Sequence, residues 1–178
     1  SIDVIITSPP YYNMRDYGKC TETIWDEKIN CKHTFCLPVH RKRVGGGKNA
    51  NIYNNKKNVN NFTNTSYFCK KCGAWKGQLG LEPDFRMYIK HLIDIFNEIK
   101  RVLKKDGTCW VNIADCYGNN SMKHEGRNWN KCLLGIPERF ILGMIQNGWI
   151  LRNKVIWYKP NHIPSPVKDR LTSSWEYL

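Results

Sequence analysis

The apolar run Asp3-Val4-Ile5-Ile6, halted by Thr7-Ser8-Pro9-Pro10-Tyr11, constrains this chain more than any other stretch. Its β-branched residues read as a buried strand. Two prolines in succession then forbid its continuation, because each lacks an amide donor, fixes φ, and holds the residue before it extended. A strand that ends in a polar residue, two prolines and an aromatic ring makes a rigid ledge, and α/β folds place their chemistry at such carboxyl edges. The plain alternative is a strand running into a polyproline turn.

The rest of the chain supplies a scaffold of the same class. Glu82 to Lys105 opens on Pro83 and carries Phe85, Tyr88, Ile89, Leu92, Ile93, Phe96, Ile99, Val102 and Leu103 at three- and four-residue intervals, which predicts an amphipathic helix ended by Asp106-Gly107. Thr108 to Ile113 reads as a short buried strand, Ile136 to Asn147 as a second helix stopped by Gly148, and Trp149 to Tyr158 as a strand halted by Pro160. Trp175 to Leu178 begins a possible return strand. Strand, helix, strand, helix, strand fits an α/β fold with a mostly parallel sheet.

The ledge suits a planar amine such as the exocyclic amino group of a nucleobase. Its lone pair is delocalised into the ring and is a poor nucleophile until its hydrogens are drawn away. The Ser8 hydroxyl and the Pro9 carbonyl are acceptors for those two hydrogens, Pro10 holds the carbonyls in one direction, and Tyr11 offers a ring on which a base turned out of a duplex can stack. Charge points to the same partner. With 28 Lys and Arg against 15 Asp and Glu the net charge is +13, which favours a polyanion through phosphate neutralisation, although a basic surface also serves solubility. Arg15, Lys159, Asn161, Lys168 and Arg170 fall in predicted loops on the ledge side and are candidates to meet DNA phosphates or bases. Asp115, just past a strand end, could face the ligand or cap a helix. No apolar stretch approaches the ~20 residues of a membrane span, and no secretory signal is visible, so a soluble, cytoplasmic protein is expected.

Among eight cysteines, Cys69-Lys70-Lys71-Cys72 has zinc-knuckle spacing, and Cys31-Lys32-His33 provides two further ligands. Cys36 is a fifth candidate, so either Cys31, His33, Cys69 and Cys72 or a set with Cys36 in place of His33 completes a tetrahedron. Disulfides do not suit a cytoplasmic chain, and free structural thiols are the competing reading. Cys20, Cys109, Cys116 and Cys132 lack ligand spacing and read as packing residues. Residues 37 to 67, rich in Lys, Arg, Gly and Asn, are expected to form a mobile basic loop.

Thr7-Ser8-Pro9-Pro10-Tyr11-Tyr12, followed by Arg15-Asp16-Tyr17-Gly18, resembles the catalytic motif of the amino-type DNA methyltransferases of bacteria and phages, which modify cytosine N4 or adenine N6. Gly77-Gln78-Leu79-Gly80-Leu81-Glu82-Pro83, Asp106-Gly107-Thr108 before Asp115, Trp157-Tyr158-Lys159-Pro160-Asn161, Asp169-Arg170 and Glu176-Tyr177 are similar to the family in the same order. The resemblance implies a partial Rossmann-like class I sheet dependent on S-adenosylmethionine, in which residues 1–178 form the catalytic, target-base half and residues 31–72 a zinc-binding basic insert. It implies methyl transfer to a flipped base in double-stranded DNA, with Ser8, Pro9, Pro10 and Tyr11 catalytic and Thr7 beside the cofactor. It also implies a bacterial or phage-infected cell and a possible companion restriction endonuclease. Cys69 to Trp75 resembles the family's Cys-x-x-Cys-Gly-Ala-Trp, which follows a Cys-x-His and so favours His33 over Cys36.

The resemblance also predicts a Phe-x-Gly-x-Gly turn to cradle the cofactor, and the chain has none, since Gly45-Gly46-Gly47 follows no apolar strand. In the subclass resembled, that turn comes after the catalytic motif, so the chain is expected to be a fragment. Ser8 where relatives carry Ser or Asp resembles the N4-cytosine group, which makes cytosine N4 the expected target and adenine N6 the alternative. A zinc-containing nucleic-acid-binding protein without activity is the rival reading, and methylation of a protein amide or an RNA base a third.

Overall fold

The computed structural model describes residues 2–35, 67–119, 122–124, 127–162, 164 and 166–178. Cys36 and, apart from Tyr67, the basic loop expected over residues 37 to 67 lie outside them. In chain order the elements are β1 (Ile2–Thr7), a 3₁₀ turn (Lys19–Thr21), β2 (Thr23–Trp25), β3 (Trp75–Gly77), α1 (Phe85–Val102), β4 (Leu103–Val111), β5 (Lys123–His124), β6 (Arg127–Asn128), α2 (Ile136–Gln146), β7 (Ile156–Tyr158) and β8 (Trp175–Tyr177). They fall into two compact units, one of Ser1–Gly18 with Gln78–Leu178, the other of Lys19–Gly77.

In the first unit β1 and β4 pair in parallel, Val4 opposite Thr108 through Thr7 opposite Val111, with α1 leading into β4. α1 starts at Phe85, not at Glu82, because the Asp84 carboxylate accepts the Arg86 amide at 2.8 Å and caps the first turn. It ends three residues sooner than periodicity predicts. Leu103 is drawn into β4 opposite Ile2, and the register slips before Val4, where Gly107 lies so close to the backbone that a Cβ there would sit 2.9 Å from the Asp3 carbonyl oxygen.

The expected apolar face of α1 is the core. Phe85, Tyr88, Ile89, Leu92 and Phe96 are buried with Ile136, Phe140 and Met144 of α2 and with Tyr12, Ile113 and Leu134. The Phe96 and Phe140 rings meet edge to face at 5.0 Å. α2 agrees with its predicted span to within a residue, and Gly148, at φ 77°, follows it. Its N-cap is Gly135, which has no side chain to offer the first amides. Asp115 serves instead, its two carboxylate oxygens accepting from Gly135 N at 2.9 Å and Ile136 N at 3.0 Å, so the cap reading of Asp115 holds. Asp115→Ala should therefore lower the unfolding free energy by about 1–2 kcal/mol, read from urea denaturation; an unchanged midpoint would sink this role.

Three expectations need correction. The strands do not form one mostly parallel sheet: among the described residues β1 with β4 is the one parallel strand pair, whereas β2 with β3, β5 with β6 and β7 with β8 are antiparallel. A helix carries the chain back between β1 and β4, but among the described residues no helix separates β7 from β8, so that connection reverses the chain. β8 is tied to the extension of β4 by an antiparallel bridge between Tyr177 and Ile113. Secondly, the strand predicted over Trp149 to Tyr158 is confined to Ile156–Tyr158, since the residues before Val155 meet no partner strand among those described. Nor is β1 buried on both sides; Val4 and Ile6 are 51% and 77% exposed.

In the second unit β2 and β3 form an antiparallel pair, and the Trp25 indole donates to the Gly77 carbonyl at 3.0 Å. Its buried residues among those described are Cys69, Ala74, Trp75 and Gly77, a very small core. No described helix is long and apolar enough to cross a membrane.

Candidate active site and candidate metal centre

The ledge forms where β1 ends. Pro9 is buried, Pro10 and Tyr11 are half-buried, and Ser8 is exposed. The Pro10 carbonyl accepts the Tyr88 hydroxyl from α1 at 2.8 Å. Behind it sits Gly80, at φ 90°, where a Cβ would lie 3.1 Å from the Tyr11 carbonyl oxygen and 3.2 Å from that of Pro10. Only glycine combines that conformation with so close an approach. Gly80 accepts from Asn13 N at 2.6 Å and donates to the Glu82 carboxylate at 2.7 Å, and the other Glu82 oxygen meets His91 Nδ1 at 2.9 Å, with both side chains buried. The Gln78 amide takes the Tyr17 N–H at 2.9 Å and donates to the Arg15 carbonyl at 3.1 Å. The segment from Gln78 to Glu82 is thus a backbone clamp on residues 10–17.

The front of the ledge is a hydrogen-bonded set drawn from four places in the sequence. Asn112, one residue past β4, donates its backbone N–H to the Thr7 carbonyl at 2.9 Å and its Nδ2 to the Tyr177 carbonyl at 3.1 Å. Its Oδ1 receives the Tyr11 hydroxyl at 2.5 Å and lies 3.5 Å from Ser8 Oγ. Glu176 of β8 reaches Tyr11 Oη at 3.1 Å, and its second oxygen is hydrogen-bonded to Lys159 Nζ. Burial chiefly, and the nearby Glu176 charge, push the Tyr11 phenol above its ordinary range, so it stays a protonated donor near neutrality. Tyr12, by contrast, is a core residue, its ring 5.5 Å from that of Tyr88.

The candidates from sequence are therefore distributed unevenly. Thr7, Ser8, Pro9, Pro10, Tyr11 and Lys159 come together. Arg15, Asn161 and Lys168 are exposed, whereas the Arg170 guanidinium lies 3.7 Å over the Tyr117 ring. Sequence reasoning missed Asn112, Glu176 and the buried Glu82–His91 pair. For Asn112 a signal existed, a polar residue inside the run Trp110-Val111-Asn112-Ile113; for His91 the helical period placed it on the buried face beside Tyr88 and Leu92.

In the other unit Cys31, His33, Cys69 and Cys72 each present a ligand atom, all within 4.8 Å of one another. Cys31 and Cys69 sulfurs stand 3.9 Å apart, and Cys72 Sγ is 3.3 Å from His33 Nδ1. Zn–S bonds of ~2.3 Å would set tetrahedral sulfurs roughly 3.8 Å apart, so the quartet has the right size. Glu27 lies 3.6 Å from His33 Nε2, where a carboxylate orients the ring with Nδ1 facing the other ligands. Although desolvation opposes it, the backbone amides around Cys69 hold its thiol at about 5, within thiolate range at neutral pH. The donor set of three sulfurs and one imidazole suits zinc.

A family model described as DNA methylase, of the N6/N4 methyltransferase type, matches residues 2–178. The type II methyltransferase M.SmaI of Serratia marcescens is 38% identical over 194 aligned positions, covering 99% of this chain and 47% of its own length. M.MwoI of Methanothermobacter wolfeii is 43% identical over 114 positions, with 64% of this chain and 16% of its own covered, and M.SfiI of Streptomyces fimbriatus 43% identical over 105, with 56% and 25%. The chain spans about half or less of the length of these curated relatives. No solved structure matches. Motif, ledge and family match agree, and the chain belongs to the N6/N4 DNA methylase family.

Proposed function

We propose that this chain is the target-base half of an enzyme that methylates double-stranded DNA on the exocyclic amine of an extruded base, with cytosine N4 as the target. The observation that carries the reading is the ledge itself: an exposed Ser8 hydroxyl beside a Pro-Pro unit braced from behind by Gly80 and Tyr88 and from in front by Asn112. A binding module has no need of carbonyls fixed so firmly. The β1–α1–β4 unit, with β8 and β7 following it across the Ile113–Tyr177 bridge, supports a partial class I Rossmann-like sheet. Residues 1–178 are then the catalytic half, carrying the insert 31–72.

Ser8 Oγ and the Pro9 carbonyl accept the two amine hydrogens, and Tyr11, held by Asn112 and Glu176, gives the base a face to stack on. Thr7, at the end of β1, is assigned to the cofactor by the family resemblance. When bound, S-adenosylmethionine supplies an already activated methyl group. The chain has no Phe-x-Gly-x-Gly turn, so its part is to hold and orient the amine rather than to cradle that cofactor. The amine nitrogen gains the methyl group and releases one proton to water. Arg15, Asn161 and Lys168 are free to meet the DNA backbone; Lys159 serves the site through Glu176, and Arg170 braces Tyr117. Cys31, His33, Cys69 and Cys72 hold a structural zinc. The name type II methyltransferase carried by its relatives supports a place in restriction and modification beside a companion endonuclease, in the cytoplasm.

Ser8 as the first residue of the motif supports cytosine over adenine. Nucleoside mass spectrometry on DNA from otherwise methylation-free cells expressing the complete protein tests this directly. N4-methylcytosine is the expected product. N6-methyladenine would keep the mechanism and overturn the base, and neither mark together with firm DNA binding would favour a non-catalytic zinc protein.

A further inference from the structure

A serine hydroxyl has one proton and two lone pairs, and which of them faces a ligand depends on where the proton goes. At a planar amine the choice matters. If Ser8 offers its lone pairs, it draws on an amine hydrogen; if it offers its proton, its partner is the neighbouring ring nitrogen, an acceptor in both cytosine and adenine, and the amine is left unactivated. The ledge has a device that decides between these.

We propose that Asn112 is a positioning residue that takes the Ser8 proton and so holds the Ser8 hydroxyl as an acceptor, an inference that rests on the function proposed above. The amide cannot be turned round. Asn112 Nδ2 donates to the Tyr177 carbonyl at 3.1 Å, which obliges Oδ1 to face Ser8 and Tyr11. Tyr11, kept protonated, donates into one lone pair of that oxygen at 2.5 Å. The second lone pair faces Ser8 Oγ at 3.5 Å, a long contact of the kind that tightens around substrate; Tyr11 Oη also lies within hydrogen-bonding reach of Ser8, on the same inward side. The backbone adds its own constraint, since Asn112 N–H to Thr7 O at 2.9 Å ties β4 to the residue directly before Ser8. With its proton turned inward to Asn112, Ser8 presents both lone pairs outward. Glu176, paired with Lys159, stands 3.1 Å from the same hydroxyl and competes for its single proton, but at 2.5 Å Asn112 Oδ1 is the nearer acceptor and so the one that Tyr11 and Ser8 share.

The test is a double-mutant cycle on the complete protein, with tritium-labelled S-adenosylmethionine and DNA from methylation-free cells as substrates. Asn112→Ala is expected to lower kcat about tenfold, with KM for DNA within about twofold of wild type, because the loss lies in orientation and not in uniform binding. In a Ser8→Ala background the same change is expected to cost nothing further. Losses that multiply, or a wild-type kcat in Asn112→Ala, overturn the proposal. Tyr11→Phe leaves Asn112 Oδ1 and its Nδ2 bond to the Tyr177 carbonyl in place, so its kcat should stay well above that of Ser8→Ala; a loss as large as that of Ser8→Ala overturns the proposal even where Asn112→Ala fails to fold. Wild-type protein that transfers no methyl group to DNA defeats the function proposed above before any variant is made, and this inference with it.

Discussion

Cys69→Ser is expected to abolish the zinc binding proposed for the second unit and to unfold that unit. Cys69 is 3% exposed and is central to the quartet, with its sulfur 3.9 Å from that of Cys31 and 3.4 Å from the Thr34 amide. Serine oxygen is a poor ligand for zinc, and three remaining donors leave the tetrahedron open. The consequence for folding follows from the size of the core. Among the described residues of Lys19–Gly77 only Cys69, Ala74, Trp75 and Gly77 are buried, and the two described three-residue strands add little to hold the four ligands in place. Metal binding in such a unit is folding free energy, on the order of 10 kcal/mol. Zinc measured by mass spectrometry after gel filtration should fall to background in Cys69→Ser, and trypsin should cut within Lys19–Gly77 while Gln78–Leu178 persists. A strong chelator should reproduce both effects in the wild-type protein. Full zinc content in the variant, or none in the wild type, would sink the metal centre.

How far the sequence disclosed this molecule depends on the range of the interactions involved. The ledge was visible because proline imposes its geometry locally, and α1 because a 3.6-residue period needs no knowledge of the partner it packs against. The clustering of Cys31, His33, Cys69 and Cys72 was visible too, since Cys-x-x-Cys fixes half a tetrahedron by spacing alone. Boundaries and directions were not. Leu103 belongs to β4 because Ile2, a hundred positions away, pairs with it, and no local pattern reports that. β8 runs antiparallel to β7 for want of a described helix between them, while Trp149 to Lys154 has strand composition and, among the described residues, no strand to pair with. Asp115 was ambiguous until Gly135, twenty residues on, proved to be a cap without a side chain. In the site the division is the same. Ser8, Pro9, Pro10 and Tyr11 are contiguous and were read directly; Asn112, Lys159 and Glu176 reach them from separate stretches, and only the fold shows that Tyr11 is tethered by its hydroxyl as well as available through its ring.

Ser8→Ala in the complete protein is expected to lower kcat for methyl transfer by about 100-fold or more, while DNA binding in a filter assay stays within about threefold. The size follows from what the hydroxyl does. An exocyclic amine attacks only when its lone pair leaves conjugation with the ring, and two fixed acceptors on its hydrogens favour that geometry in the transition state more than in the planar ground state. Removing one of them leaves the Pro9 carbonyl to act alone. Folding does not confuse the result, because Ser8 is exposed and the ledge is held by contacts to Pro10, Tyr11 and Thr7 that alanine leaves intact; surface changes of this kind stay within about 0.5 kcal/mol. On the proposed function, DNA affinity comes from the excess of positive charge and should keep a steep dependence on salt. Tyr11→Phe separates the two roles of the ledge: it retains the stacking face, gives up the bond to Asn112, and should lose less than Ser8→Ala. A Ser8→Ala enzyme that kept the wild-type kcat would mean that the Pro9 carbonyl suffices, and the amine's second hydrogen would then need no acceptor from this chain.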